Sequence, residues 1–288
     1  MNILRLLPLT MMLLSGCGAS RAHISPPAEE PPAATVAVIA PPQTAPDRTV
    51  TNYPDLRSAV ASILNDSIQV VAFGEIHKKE ISDLVSTMQY FAREVMPLLA
   101  DQGITDLVWE HLPAGESAAA EIEAFGQTQA LGPFLTHWFG YNPDLPGALE
   151  VLRQARALGI SLHGCHASGT GEYYANRLNI VEFLNERCLA VTQSLIEPDR
   201  RIAVYTGANH NNELPVAGQD HLSFGDELSS QFGDGYMEID ILLPELIPAT
   251  QDLLHLDNWQ ELVPESGVNH IAFASGRQVI ILSESLNQ

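Results

Sequence analysis

The sequence predicts an α/β domain with a mostly parallel β-sheet flanked by helices and an antiparallel C-terminal edge. Apolar runs of strand length alternate with amphipathic segments of helical length, as expected for βαβ units. The runs are continuously apolar, which is typical of strands covered on both faces. Of the 288 residues, 45% are hydrophobic, which is enough for a sizeable core.

The first 48 residues are predicted to lie outside this domain. Residues 1–16 resemble a secretory signal peptide, and they end in Leu14-Ser15-Gly16 followed by Cys17, as in the bacterial lipobox. In that motif the cysteine is acylated and becomes the mature N-terminus. Residues 17–48 are rich in proline, which predicts an extended tether. We therefore expect a bacterial envelope lipoprotein held on the lipid bilayer by acylated Cys17, and Gly18 after the cysteine favours the outer membrane.

Residues 49–288 are predicted to form the domain. The spacing of apolar residues predicts helices over residues 53–65, 82–99, 117–125, 146–158, 173–196 and 224–232. Continuous apolar runs predict strands over residues 69–73, 106–109, 160–162 and 202–206. Three more strands are expected over residues 236–243, 270–274 and 278–283. Ser275-Gly276-Arg277 joins the last two and is a hairpin signal, so the sheet should end in an antiparallel edge.

The first four predicted strands all run into histidine or glutamate. Their endings are Gly74-Glu75-Ile76-His77, Glu110-His111, His163-Gly164-Cys165-His166 and Gly207-Ala208-Asn209-His210. The carboxyl ends of parallel strands share one edge of a sheet, where ligands of open α/β sheets bind. The sequence therefore predicts a functional site at that edge.

The candidate catalytic residues are Glu75, His77, Glu110 and His210. Two imidazoles and a carboxylate, from His77, Glu110 and His210, are a common ligand set for Zn, Mn or Fe. Without a metal, the same four side chains would supply a general base, its orienting carboxylate and an acid. Three further histidines are weaker candidates: His111, His163 and His166.

Glycines precede two of these histidines. Gly74 and Gly207 each permit a tight turn and a close approach of another group to the backbone. If the two Gly-x-x-His segments follow neighbouring strands, their imidazoles should converge.

Charge and composition restrict the partners. The formal net charge of −21 argues against nucleic acid and against an anionic membrane surface. It agrees with a cation or a neutral substrate, but a merely soluble, self-repelling surface is the favoured explanation. Cys165 and Cys188 either pair in an oxidising periplasm or stay as buried thiols. The aromatic stretch 137–143 is interpreted as a loop that either packs on the sheet or covers an apolar ligand.

The motifs at Glu75, His77, Glu110 and His210 resemble the superfamily of ChaN-like lipoproteins, TIKI (TraB, GumN) proteins and erythromycin esterases. The resemblance covers about residues 70–243. The ChaN-like members are most similar, and they imply a lipid-anchored protein that binds haem through tyrosine. The candidate haem ligands here are Tyr90, Tyr173 and Tyr174. TIKI-like members imply a metal-dependent protease with paired Gly-x-x-His motifs, and erythromycin esterases imply hydrolysis by a Glu and His pair.

This chain departs from the ChaN-like pattern after His77. Lys78-Lys79 follow that histidine, and Ser82-Asp83 stand where ChaN-like proteins have a pair of histidines. The sequence therefore leaves three functions open. The first is an envelope-anchored, metal-dependent hydrolase acting on a peptide or ester bond. The second is a lipoprotein that binds haem or another small ligand for iron uptake. The third is a scaffold with a vestigial site.

Overall fold

A computed structural model describes residues 48–77, 84–140, 142–177, 179–215, 222–249 and 256–283. These residues all belong to one unit, Thr44–Gln288. They form a sheet with the strand order β1-β7-β8-β6-β2-β5-β3-β4. The strands are β1 Arg48–Tyr53, β2 Val70–Glu75, β3 Asp106–Pro113, β4 Ser161–His166, β5 Ile202–Gly207, β6 Tyr236–Leu242, β7 Val268–Phe273 and β8 Gln278–Leu282.

The predicted sheet architecture is confirmed. Strands β2 to β6 pair in parallel, and β8 joins β6 in parallel. β7 runs antiparallel to β8, and β1 runs antiparallel to β7. Gly276 in the β7–β8 turn has φ +102, a left-handed conformation that favours glycine. The C-terminal edge is thus antiparallel, as its hairpin signal predicts.

Helices cover both faces of the sheet. They are α1 Leu56–Ile63, α2 Thr87–Tyr90, α3 Met96–Asp101, α4 Glu116–Thr128, α5 Pro133–Phe139, α6 Leu145–Leu158, α7 Thr170–Asn176, α8 Ile180–Ser194 and α9 Gly225–Phe232. A π-helical stretch, Phe91–Val95, connects α2 to α3. Phe73 and Trp109 pack in the core on one face, whereas Ala72 and Val204 pack in the core on the other. This two-sided burial explains why the strands are continuously apolar.

Some element boundaries differ from the predictions. The segment preceding α1 is an edge strand, β1, because its backbone pairs with β7. The predicted helix over residues 173–196 is two helices, α7 and α8. Residues 137–139, interpreted as loop, end helix α5. Strands β3 and β4 continue through the histidines that were expected to follow them, because their backbone pairing extends as far as Pro113 and His166.

Cys165 in β4 and Cys188 in α8 form a disulfide bond with a sequence separation of 23 residues. Both cysteines are buried in the core between the sheet and α8. The bond answers the question left open by the sequence, and it fixes α8 against the sheet beside the predicted site.

Residues 1–47, with Cys17 and the tether, lie outside the described residues, as do Lys78-Lys79 and Ser82-Asp83. Of the helices that the structure describes, none combines the length and the hydropathy needed to cross a bilayer.

Candidate metal and catalytic site

The predicted site residues meet at the carboxyl edge of three adjacent strands. β5 lies between β2 and β3, and Glu75 at the end of β2 is in register with Gly207 at the end of β5. The two Gly-x-x-His segments therefore do follow neighbouring strands. The side chains of Glu75, His77, Glu110 and His210 come together in one cluster at this edge.

Both carboxylate oxygens of Glu75 have hydrogen-bond partners within the protein. Its Oε1 lies 3.0 Å from His77 Nδ1 and 3.0 Å from His111 Nε2, and its Oε2 accepts a hydrogen bond from the Tyr205 hydroxyl. Burial alone would raise the pKa of Glu75, but the hydrogen bonds from His111 and His77 outweigh burial and lower the pKa to about 2. A carboxylate can only accept, so the facing nitrogens, His77 Nδ1 and His111 Nε2, carry protons.

One carboxylate oxygen of Glu110 accepts a backbone hydrogen bond, and the other faces two imidazoles. The Gly207 backbone N–H donates to Oε2 at 2.8 Å. Oε1 lies 3.6 Å from His77 Nε2 and 3.6 Å from His210 Nε2. On the far side of its ring, His210 Nδ1 lies 2.6 Å from Asn185 Oδ1 in α8. With the amide oriented in this way, Nδ1 is the protonated nitrogen and the Nε2 lone pair faces Glu110.

His77 Nε2, Glu110 Oε1 and His210 Nε2 fit a metal ion. These atoms all lie within 4.8 Å of one another. Ligand atoms placed tetrahedrally at zinc-like distances of 2.0–2.2 Å lie about 3.4 Å apart, close to the 3.6 Å contacts here. A hydrogen bond with a further residue orients each ligand. Glu75 orients His77, Gly207 N–H orients Glu110 and Asn185 orients His210. Such outer partners fix the tautomer and the direction of metal ligands.

A second set, Glu75, His77 and His111, also satisfies the distance requirement. Its three atoms are only 3.0–3.1 Å apart. Two of them carry the protons that Glu75 accepts, so this set acts as a hydrogen-bond network. Of the two sets, the first is the one whose geometry suits metal ligands, because its facing lone pairs are free of protons once His77 Nε2 is deprotonated.

Without a metal, the two histidines of the first set have opposed proton affinities. Burial would lower the pKa of His77, but Glu110 and Glu75 outweigh burial and raise the pKa well above its usual value. Burial lowers the pKa of His210, and Glu110 offsets this only in part. Burial would raise the pKa of Glu110, yet His210 and His77 hold it well below its usual value. Two histidines whose pKa values are shifted in opposite directions suit the roles of general acid and general base.

Gly74 and Gly207 are required for close approach. A Cβ on Gly207 would lie 2.9 Å from His77 Nε2 and 3.1 Å from His210 Cδ2. A Cβ on Gly74 would lie 2.1 Å from Asp240 Oδ1. Neither glycine has a positive φ, so the expected tight turn is not the reason for glycine at these positions, whereas the expected close approach is.

Three members of the cluster, Glu75, His77 and Glu110, line a cleft of about 750 Å³, and His210 adjoins the cleft through its contact with Glu110. His77 is the most accessible member, with 37% of its side chain exposed, against 8% for Glu110 and 12% for His210. The walls include Met88, His111, Trp138, Pro143, Asp144, His166, Tyr173 and Tyr174. A ligand in the cleft would thus meet His77 first.

Some of the remaining candidate residues lie at the site and others lie away from it. His111, expected to be weak, contacts Glu75, and His166 lines the cleft. His163 instead lies 2.8 Å from Asp106 Oδ1, away from the described cleft residues. Tyr90 packs in the core and does not line the cleft, whereas Tyr173 and Tyr174 do. Asn185 and Tyr205 were not singled out in the sequence.

No family model matches the chain, and no curated protein matches it. Among solved structures, it is similar to the type III effector HopBA1, with 15% identity, a TM-score of 0.45, and coverage of 81% of this chain and 97% of that chain. It is similar to ChaN of Campylobacter jejuni with cofacial haem, with 10% identity, a TM-score of 0.38, and coverage of 64% and 84%.

A third similar structure is RRSP, a MARTX toxin effector domain from Vibrio vulnificus, with 17% identity and a TM-score of 0.38. The match covers 55% of this chain and 33% of that chain, so it spans about a third of the effector-domain structure. A ChaN protein is thus among the solved structures that the chain resembles, as the sequence motifs indicate. These likenesses are distant and bear on the fold alone.

Proposed function

We propose that the protein is an envelope-anchored, metal-dependent hydrolase that acts on a peptide or ester bond at the cluster of Glu75, His77, Glu110 and His210. One observation carries the proposal. His77 Nε2, Glu110 Oε1 and His210 Nε2 converge beside an open cleft that His77 and Glu110 line, and a hydrogen bond with a further residue orients each of them. Three protein ligands with an open side are the usual arrangement of a catalytic metal site.

A divalent ion bound there would polarise a carbonyl group and lower the pKa of water. The residues of the chain perform the other tasks. Glu75 accepts the Nδ1 proton of His77 and so keeps the Nε2 lone pair directed at the site. Asn185 does the same for His210.

His166 is placed to orient a substrate carbonyl. Burial lowers the pKa of His166 to about 4, so the ring is neutral at physiological pH. Its Nδ1 accepts a hydrogen bond from Ala167 N–H at 2.7 Å, so the single ring proton is on Nε2. The ring lines the cleft, where this N–H is a donor for an uncharged acceptor such as a carbonyl oxygen.

The test combines metal analysis with hydrolysis. The purified protein should bind Zn²⁺, Mn²⁺ or Fe²⁺ in stoichiometric amount and hydrolyse chromogenic esters or peptides, and a chelator should abolish the activity reversibly. His210→Ala and Glu110→Gln should each lower metal affinity by more than about 100-fold, because losing even an outer-shell partner costs 10- to 100-fold. His270→Ala is the matched control, since that histidine lies in β7 beside Gln278.

Activity that survives complete metal removal would contradict the metal assignment. In that case the opposed histidines, His77 as acid and His210 as base, would perform the hydrolysis without an ion. Absence of both metal binding and hydrolysis would contradict the proposal as a whole.

A second candidate is a lipoprotein that binds haem or another small ligand for iron uptake. The observation favouring it is that Tyr173 and Tyr174, 38% and 64% exposed, stand in the wall of the cleft. A phenolate oxygen can serve as an axial ligand of haem iron. Haem titration followed by its Soret band tests this function, and Tyr173→Phe together with Tyr174→Phe should remove a tyrosine-ligated spectrum.

We further propose that acylation of Cys17 anchors the domain to the bacterial envelope, with the outer membrane as its destination. The support is the sequence Leu14-Ser15-Gly16-Cys17 and the proline-rich stretch that follows it. An anchor of this kind would place the cleft near envelope substrates.

A further inference from the structure

We infer that the wall of the cleft selects substrates with an uncharged, planar side group beside the scissile bond, such as the aromatic ring of a peptide or an aryl ester. This inference names the substrate class of the proposed hydrolase and rests on that function. It is carried by four rings, Trp138, His166, Tyr173 and Tyr174, which we call the aromatic row.

The four rings are in continuous contact. The centroids of Trp138 and His166 are 4.9 Å apart in an edge-to-face arrangement, and those of His166 and Tyr173 are 5.9 Å apart and stacked. Tyr173 and Tyr174 follow at 5.6 Å, edge to face. Aromatic pairs prefer these offset and edge-to-face arrangements, so a further planar ring can extend the row in the same manner.

The row is held at both ends. Trp138 Nε1 donates to the His111 carbonyl oxygen at 3.1 Å, which joins the row to the strand that carries Glu110. At the other end, Glu172 beside Tyr173 accepts from Ser168 N–H at 2.6 Å and pairs with Arg187 of α8. Trp138 and the helix that carries Tyr173 and Tyr174 are thus joined to β3 and α8.

The exposure of two tyrosines in the aromatic row indicates a ligand-binding surface. Tyr174 is the most exposed large hydrophobic residue among those described, and Tyr173 is also exposed. Both line the cleft that contains the Glu and His cluster. Exposed aromatic side chains next to a reactive centre are typical of a ligand-binding surface.

Charge restricts the class further. Glu75 and Glu110 lie in the floor of the cleft and Asp144 lies in its wall. The described lining of the cleft contains no lysine or arginine that would pair with an anionic side group, so aspartyl and phosphoryl groups are disfavoured. The aromatic row itself contains no carboxylate, lysine or arginine side chain, which favours an uncharged group.

Binding tests the inference independently of catalysis. Saturation-transfer NMR on the purified protein would compare N-acetyl-phenylalaninamide with N-acetyl-leucinamide, which has similar apolar size and no planar ring. The phenylalanine probe should bind about two- to tenfold more tightly, the range expected for one additional aromatic contact. N-acetyl-aspartamide, the anionic probe, should bind more weakly than both.

Variants then locate the preference. Tyr174→Leu and Tyr173→Leu should reduce the ratio of phenylalanine to leucine affinity towards one, whereas Tyr174→Phe should keep it. Tyr53→Leu is the matched control, because Tyr53 lies in β1 at the opposite edge of the sheet. Equal affinity for the two probes, or a preference that survives in the Tyr173→Leu/Tyr174→Leu double variant, would overturn the inference.

Hydrolysis of the matched phenylalanine and leucine esters separates this inference from the function on which it rests. Hydrolysis with equal kcat/KM for both esters would overturn the inference and leave the hydrolase standing. Preferential binding of the phenylalanine probe without hydrolysis of either ester would overturn the hydrolase, and with it the assignment of the aromatic row to a substrate.

Discussion

Replacing Asn185 by leucine should weaken the metal site without touching a ligand. Asn185 is buried, and its Oδ1 accepts the Nδ1 proton of His210 at 2.6 Å. Leucine has a similar shape but no acceptor, so the imidazole is free to move its proton to Nε2, where the metal would bind. Loss of such an outer partner typically costs 10- to 100-fold in metal affinity, about 1.4–2.8 kcal/mol.

The substitution also leaves a buried N–H without an acceptor, which costs about 1–3 kcal/mol of folding free energy. Metal affinity is therefore measured by calorimetric titration with Zn²⁺, and stability of the metal-free protein by urea unfolding. Asn179→Ala is the control, because Asn179 is exposed at the start of the same helix and makes no side-chain cap.

Asn185→Asp distinguishes positioning from a merely structural role. The carboxylate keeps the acceptor, so metal affinity should recover at high pH. It also favours the imidazolium and raises the pKa of His210, which burial lowers in the native protein. Metal affinity should thus fall at a higher pH than in the native protein. An unchanged affinity in Asn185→Leu, or an aspartate variant with the native pH profile, would refute the reasoning.

Three further predictions rest on the structure, and a fourth rests on the N-terminal sequence. Replacing both Cys165 and Cys188 by serine should lower the free energy of unfolding by about 3 kcal/mol, measured in urea, since the bond closes a loop with a sequence separation of 23 residues. Trp109→Ala, at a fully buried ring, should cost about 3–5 kcal/mol in the same assay, and a neutral effect would contradict its burial. Metal affinity in titrations should fall with decreasing pH, because the raised pKa of His77 means that a proton competes for its Nε2 and is displaced only as pH rises; an affinity independent of pH would contradict this competition. Cys17→Ser should leave the precursor unprocessed and unlipidated on gels, and normal lipidation would disprove the anchor.

The sheet could be predicted from the sequence because its information is local. Strands β2 and β5 begin as continuous apolar runs, and the helices between the strands have helical spacing of apolar residues. β1 was missed because its side chains are mostly exposed, so its sequence has no apolar signal. It is held at the edge by its backbone pairing with β7.

The membership of His111 in the site could not have been inferred from strand alternation. Successive side chains of a strand point to opposite faces, so alternation alone places Glu110 and His111 on opposite faces of the sheet. Trp109 and Tyr205 pack on the face to which alternation directs His111. Val108 packs on the opposite face, which is the face of Glu110. Both nevertheless reach the site, because it straddles the top edge of the sheet and His77 contacts both groups.

Asn185 could not have been inferred from local sequence. It lies within a helix, 25 residues before the histidine that it orients, and its neighbours carry no motif. Its position depends on how α8 docks on the sheet. The disulfide from Cys188, one turn further along α8, to Cys165 in β4 contributes to that docking.

Glu75 and Glu110 show why residue type at a strand end does not determine its role. Both are glutamates near the ends of parallel strands, and the sequence treats them alike. Tyr205, two positions before Gly207 on β5, donates to Glu75, and two imidazoles complete its hydrogen bonds. Glu110 receives one backbone donor from Gly207, which leaves Oε1 facing the histidines. The difference arises from β5, which lies between the two glutamate-bearing strands and supplies a hydroxyl to one glutamate and a backbone N–H to the other.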